Sequence, residues 1–296
     1  MVSEDFQFGS QSLSDFDMIM AKPEEDQEFS TRTINKSEIT SVRAKPNHYG
    51  VTYEDVLVLR FFIVKADGCN GQEGLKMTGD EVHEIRAWLE SPKRPTELIV
   101  PIEEDDLQAH YFGVFTSIQP YLNQDECYGL NLEFTCDSPY GWSDKEVLSY
   151  NINSSAATIT AKYDNISAER EEYIRPIITI NSSDEFGADE TIHIGNLSDG
   201  DRYMEVTLPE GLSGIVINCE KKVVTDSEGN LLSLSDLGII NNIINGEYDF
   251  VSADQFSIYW FSLIPGENDI VITPSVSNTI STLEISLRYI IKSGGF

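Results

Sequence analysis

The chain has 296 residues, 50 of them acidic and 20 basic, for a formal net charge of −30. That balance excludes a grip on nucleic acid, which needs clustered Lys and Arg to displace phosphate counterions, and it opposes docking on anionic membranes. The length suits two ordinary domains, and a 40% hydrophobic share with 14 Phe and 13 Tyr gives each a core, so the chain is not disordered.

The acidity reads first as a solubilising surface. It also suits the wall of a channel through which DNA passes without sticking, because it offers no counterion-releasing contacts. The start, Met1-Val-Ser-Glu-Asp-Phe6, carries acid where a signal peptide carries base. No apolar run reaches the roughly 20 residues of a membrane helix, so synthesis in the cytoplasm without an export signal is expected.

Phe16–Ala21 is a short apolar strand candidate that stops before Pro23 and the acidic Glu24-Glu25-Asp26. Val56–Val64 is apolar on both faces, the pattern of a central strand covered on both sides. Its second cover is expected from the helix announced by Thr78-Gly79-Asp80-Glu81, a capping-box spacing in which Thr78 and Glu81 satisfy each other's backbone donors. Val82, Ile85, Trp88 and Leu89 form that helix's apolar stripe, and Pro92 and Pro95 stop it. Strands resume at Leu98–Ile102 and His110–Phe115, with the acidic Glu103-Glu104-Asp105-Asp106 between them.

In Gly129–Trp142, Leu130, Leu132, Phe134 and Cys136 alternate with Asn131, Glu133 and Thr135, as in a half-buried strand. Ser138-Pro139-Tyr140-Gly141 must then turn the chain, and this corner is read as the exit of the first domain, placed at residues 1–149.

From about Leu148 onward, short strands recur every 8 to 12 residues or so with turn signals between them, the signature of a β-sandwich or jelly roll. The candidates are Thr158–Tyr163, Ile177–Ile180, Thr191–Ile194, Tyr203–Leu208, Gly214–Asn218 and Ile258–Leu263. Lys222–Leu232 reads as a hairpin around Asp226-Ser-Glu-Gly229-Asn. Its acids are too few for a calcium loop. Ile258–Leu263 is expected to turn at Pro265-Gly266-Glu267-Asn268 into Ile270–Thr273, and Thr282–Ile291 alternates Leu283, Ile285, Leu287 and Tyr289 against Glu284, Ser286 and Arg288. The second domain is placed at 150–296.

No catalytic, metal or cofactor constellation is legible. Cys69, Cys127, Cys136 and Cys219 form no C-x-x-C pair, and His48, His83, His110 and His193 stand apart from them and from each other. Cys127 and Cys136 could meet across a hairpin, although buried reduced thiols are the plainer reading. Ser213 in Gly211-Leu-Ser-Gly214 lacks the spacing of a nucleophile elbow, and glycine-rich phosphate loops are absent. Trp142, Tyr259 and Trp260 could stack on a sugar if exposed; Trp among alternating apolar positions more often packs in a core.

The order of these signals resembles the distal tail proteins of long-tailed bacteriophages. The resemblance rests on the helix carrying Trp88, the exit from Phe134 through Pro139 to Trp142, and the closing Pro265–Ile272 and Leu283–Tyr289 segments, which are similar to the last hairpin of the family's second domain. It implies a mainly β protein. The first domain would be a β-barrel or split-barrel-like tail-hub domain with one short helix, and the second a peripheral, antiparallel, galectin-like or carbohydrate-binding-module-like sandwich.

The function implied is structural and not enzymatic, with no cofactor: a ring, usually a hexamer, at the distal end of the virion tail, made in the host cytoplasm. Implied partners are copies of itself, the tail tube protein, the tape-measure protein and the tail-associated lysin or tail-tip proteins, with DNA passing through the ring unbound and no membrane insertion. A host cell-wall glycan is a further implied partner, for which Tyr259 and Trp260 are the contact candidates. The alternative reading is a carbohydrate-binding module or adhesin acting on cell-surface glycans.

Overall fold

In a computed structural model, residues 5–21, 32–36, 48–66, 74–101, 108–152, 157–169, 172–233, 237, 240–242, 259–275 and 279–291 are described. The acidic stretches 24–26 and 103–106, Cys69 and Ile258 lie outside them. The chain divides into two compact units, Met1–Asp144 with Ile290–Phe296, and Lys145–Tyr289.

The strands of the first unit are β1 (Gln7–Phe8), β2 (Gln11–Ser12), β3 (Met18–Ala21), β4 (Arg32–Lys36), β5 (His48–Tyr53) and β6 (Val58–Lys65), then, after helix α1 (Gly79–Glu90), β7 (Thr96–Pro101), β8 (Gln108–Asn123), β9 (Glu126–Cys136) and β10 (Gly141–Trp142). Those of the second unit are β11 (Glu146–Asn151), β12 (Ile159–Asn165), β13 (Ile177–Ser182), β14 (Thr191–Asn196), β15 (Arg202–Thr207), β16 (Gly214–Asn218), β17 (Val223–Asp226), β18 (Ile240–Asn242), β19 (Gly266–Pro274) and β20 (Ile280–Leu287). A last short strand, β21 (Ile290–Ile291), returns to the first unit and pairs with β10.

The first unit is built on a nine-stranded sheet curled into a half-barrel, with the path β2-β1-β7-β8-β9-β6-β3 and β10 and β21 off it. Strand β6 has neighbours on both edges, as its apolar run implies, yet its burial alternates: Leu59, Phe61 and Ile63 are buried while Arg60, Phe62 and Val64 are only half-buried. The expected cover of a second face is therefore corrected. Helix α1 lies on the face already buried, where Lys65 Nζ reaches Glu81 Oε1 at 2.6 Å and Ile85, Trp88 and Leu89 join the same core as Leu59 and Phe61. The other face carries an Arg60–Glu133 ion pair and stays wet. The capping box forms as read, with Thr78 N donating to Glu81 Oε2 at 2.6 Å and Glu81 N to Thr78 Oγ1 at 3.3 Å.

In the second unit two five-stranded antiparallel sheets, β11-β20-β13-β16-β17 and β12-β19-β14-β15-β18, bury their facing sides in one core that includes Ile178, Ile217 and Ile285 from the first and Ile194, Val206 and Ile272 from the second. Strands β19 and β20 lie in different sheets, so the closing pair expected as a hairpin is instead a crossing from one sheet to the other.

The apolar run before β19 is not a strand either. Its described part, from Tyr259, makes one bridge, Ile174 to Leu263, and is otherwise held by side-chain amides. Asn196 Nδ2 donates to Ser262 O at 2.9 Å and Asn165 Nδ2 to Ile264 O at 3.2 Å. Those amides take over part of the pairing that a neighbouring strand would supply. Strand β11 pairs with β20 along Glu146–Asn151, so the position 149 expected as the end of the first domain falls inside a strand of the second unit.

Candidate functional site

Of the positions that carried the family resemblance, Trp88 and Phe134 lie in the core of the first unit and Pro139 and Trp142 at the corner after β9, while Pro265–Ile272 and Leu283–Tyr289 belong to the second unit. Trp88 is 9% exposed; Phe6 and Phe16 stack on it at 5.8 and 4.7 Å between centroids, and Phe8 meets it edge-on. Phe134 is buried against Phe115 and Phe8 at 5.1 and 6.0 Å. These are packing roles in the core between the sheet and α1.

At the corner, Leu57 N donates to Ser138 O and Cys136 N to Leu57 O, which ties the exit of β9 to the start of β6. Pro139 sits in the turn, and Trp142, half-buried in β10, meets Tyr140 edge-on at 5.2 Å. Gly141 is required there, because a Cβ would stand 2.6 Å from the Tyr111 ring.

His110, dismissed in sequence as isolated, is buried with both ring nitrogens engaged. Nδ1 lies 2.8 Å from Glu97 Oε1 and Nε2 lies 2.9 Å from Asp144 Oδ1, on the last residue of this part of the unit. Strand register brings these groups together across β7, β8 and the segment after β10, which no sequence spacing reveals.

Strands β8 and β9 run on past the core as a hairpin arm. Its two-residue turn has Gln124 and Asp125 at φ of 52° and 66°, and near the tip Tyr121 and Leu122 are 45% and 56% exposed. Cys127 and Cys136 both lie on β9, nine residues or about 30 Å apart, so they cannot pair, and both are free. Cys219 is also free and buried in the second unit.

The contact candidates Tyr259 and Trp260 are both tied into the second unit. Trp260 is 7% exposed in the sandwich core, which removes it from any exposed stacking surface. Tyr259 donates its hydroxyl to Asp199 Oδ2 at 3.0 Å, and the Arg202 guanidinium, itself bonded to Asp199, covers its ring at 5.0 Å. Burial, with the Asp199 charge beside it, pushes the Tyr259 hydroxyl up to about 12.

An open groove of about 280 Å³, which shares Arg202 with the Tyr259 cluster, lies on the outward face of β14, β15 and β19. His193 and Tyr203 stand stacked in it at 5.4 Å, with Gly195 facing Tyr203 across the ladder. Among the described residues no group of three or more His, Cys, Asp or Glu could hold a metal, and no helix is long and apolar enough to cross a membrane.

Residues 1–138 match the family model described as the phage tail protein N-terminal domain. Comparison with curated proteins gives no match. Among solved structures, the chain is similar to SPP1 Dit, described as a paradigm of the hub adsorption apparatus in phages infecting Gram-positive bacteria. That likeness covers 98% of this chain and 99% of the other at 12% identity, with a TM-score of 0.59. A chain of the phage P2 baseplate in its activated conformation with Ca covers 99% of each chain at 10% identity, with a TM-score of 0.52. The resemblance read in the sequence is borne out: residues 1–138 match a phage tail protein domain model, and the chain has a mainly β fold like that of SPP1 Dit.

Proposed function

We propose that this chain is a structural subunit of the phage tail tip. Its copies close into a ring at the distal end of the tail, and that ring joins the tube to the proteins that meet the host. The observation that supports this reading is the span of the likeness: both units, in chain order, follow SPP1 Dit over 98% of the chain, and the first also matches a phage tail family by sequence.

A ring suits the physical make-up of the first unit. A cyclic assembly needs two different surfaces per protomer, and a sheet-built domain offers edges that closure leaves covered. Strand β3, at one end of the sheet path, and the exposed β8–β9 arm are such surfaces. The net charge of −30 lets DNA pass through the opening unheld. Tail tube, tape-measure and tail-tip proteins are the partners this places above and below the ring, the second unit lies at its periphery, and the role is structural rather than catalytic.

Sedimentation of the full chain, alone and with tail tube protein as template, tests the assembly. A discrete closed oligomer, six copies by preference, is expected in at least one of the two conditions. A monomer at high concentration in both contradicts the ring.

A further inference from the structure

We propose that the tip of the β8–β9 arm of one copy seats on the outward face of the β11-β20-β13-β16-β17 sheet of a second copy, with Leu122 in a notch between Val147 and Ile177 and Asp125 against Arg175 and Lys145. This contact rests on the ring reading and names two surfaces that close it.

The receiving face is set by register. Val147 on β11 and Ile177 on β13 both pair with Ser286 on β20, so the three stand in one row across the sheet. Neighbouring strands lie about 4.8 Å apart, which puts the two apolar residues about 10 Å from each other. They are 45% and 38% exposed, while the small Ser286 between them is 7% exposed. A short side chain flanked by two branched ones leaves a notch of the width of a single apolar side chain.

Cations line one side of that row. Arg175 and Lys145 stand two residues before Ile177 and Val147, on the same side by the period of two, and both are exposed. Neither has an ion-pair partner among the described residues. Glu284 stands in the row on the other side of the notch, so the face has a direction. In a chain of net charge −30, two uncommitted cations beside an open apolar row suit a surface that is acidic and partly apolar.

The arm tip is such a surface. Leu122 is 56% exposed, and the two-residue turn that follows it places the exposed Asp125 three residues on, at most about 10 Å away. Asp125 has no ion-pair partner among the described residues, whereas Glu126 is held by Lys76. Two residues along a strand span about 6.6 Å, so the step from notch to cations is within the reach from Leu122 to Asp125. A polyphosphate would satisfy the cations but leave the notch and Leu122 wet. In a cyclic assembly the arm and the sheet face serve as the two different surfaces that each copy must present.

Sedimentation of the full chain, in whichever condition the parent assembles, tests the contact. Asp125→Lys and Arg175→Glu should each raise the concentration needed for assembly tenfold or more, because like charges then face each other. Mixed one to one, the two variants should assemble again, since every arm meets the opposite charge on its neighbour. Asp125 has φ of 66°, a backbone that Asn tolerates better than Lys, so Asp125→Asn is the second variant and should weaken assembly in the same direction. Glu84→Lys and Lys93→Glu, the same kinds of charge change at exposed positions elsewhere, should leave assembly unchanged. Rings that form as readily from both charge-reversed variants overturn the contact and leave the ring standing. Binding of inorganic polyphosphate that Arg175→Glu abolishes, with assembly unchanged, gives the cations to a polyanion instead. Assembly restored by both changes in one chain but not by the mixture puts the contact within a copy and overturns it as well. A parent that stays monomeric with and without tail tube protein overturns the ring and this contact together.

Discussion

The indole nitrogen of Trp88 donates a hydrogen bond to the backbone carbonyl of Phe8, 3.2 Å away and 80 residues earlier in the chain. The bond is buried, and it fastens the only long helix of the described residues to the first strand of the sheet. Trp88→Ala should therefore cost the first unit about 3–5 kcal/mol through the lost packing against Phe6 and Phe16 and the orphaned carbonyl. Denaturant unfolding followed by circular dichroism measures this. A variant that unfolds like the parent contradicts the core role assigned to Trp88.

The capping box of the same helix carries a pH signature. Burial opposes ionisation of Glu81, but bonds from Lys65 and from the backbone and hydroxyl of Thr78 outweigh it and hold the carboxyl below its ordinary 4.5. A lowered folded value means that the contribution is present above the unfolded pKa and is lost as pH falls through the folded one. The stability difference between the parent and Glu81→Gln should be largest near neutrality and should close as pH drops below about 4.5. Thr78→Ala should cost about 1 kcal/mol at neutral pH. Thermal melts of the three proteins from pH 7 to pH 3 check both statements.

In the second unit, Asn268 is fully buried and uses its whole amide. Oδ1 accepts from Ile264 N and Asn196 Nδ2 at 2.8 and 2.7 Å, and Nδ2 donates to Ile264 O and Gly266 O at 2.9 and 2.7 Å. Asn268→Ala leaves these groups without partners, and each orphan costs roughly 1–3 kcal/mol, so a loss of about 3 kcal/mol or more is expected. Asn268→Asp should be no better, because it removes both donors and buries a charge. Urea midpoints compared at unchanged slope provide the measurement.

The thiols should separate by reactivity. Burial pushes Cys136 and Cys219 up to about 12, so at pH 8 only about one in ten thousand of each is thiolate. Cys127 is half-buried within the hairpin arm, near its turn. Alkylation followed by mass spectrometry should label the Cys127 peptide in the native protein and the other two only after denaturation. Native labelling of Cys219 at the Cys127 rate contradicts the burial described.

Where a strand alternates cleanly the sequence was enough: Leu130, Leu132, Phe134 and Cys136 are buried and Asn131 is exposed, as period two requires. The outer half of β8 was not legible, because beyond Ile118 its residues are exposed and carry no alternation, and its turn uses Gln124 and Asp125 in place of glycine. Tyr259–Leu263 misled for the opposite reason. Its apolar side chains fill a core, but its backbone is held by asparagine side chains far away in sequence. The groove was invisible because His193, Gly195 and Tyr203 become neighbours only through the β14–β15 register. The same holds for His110 between Glu97 and Asp144.

The central claim, a ring of this chain at the distal end of a phage tail, is tested most directly by cryo-electron microscopy of native tail tips from the particle that encodes it. The account predicts a closed ring of identical copies at the end of the tube, each fitted by the nine-stranded sheet of the first unit with its β8–β9 arm, and with the sandwich of the second unit fitted as a separate body. A tip whose ring is built by another protein, with this chain absent or attached elsewhere on the particle, would contradict it.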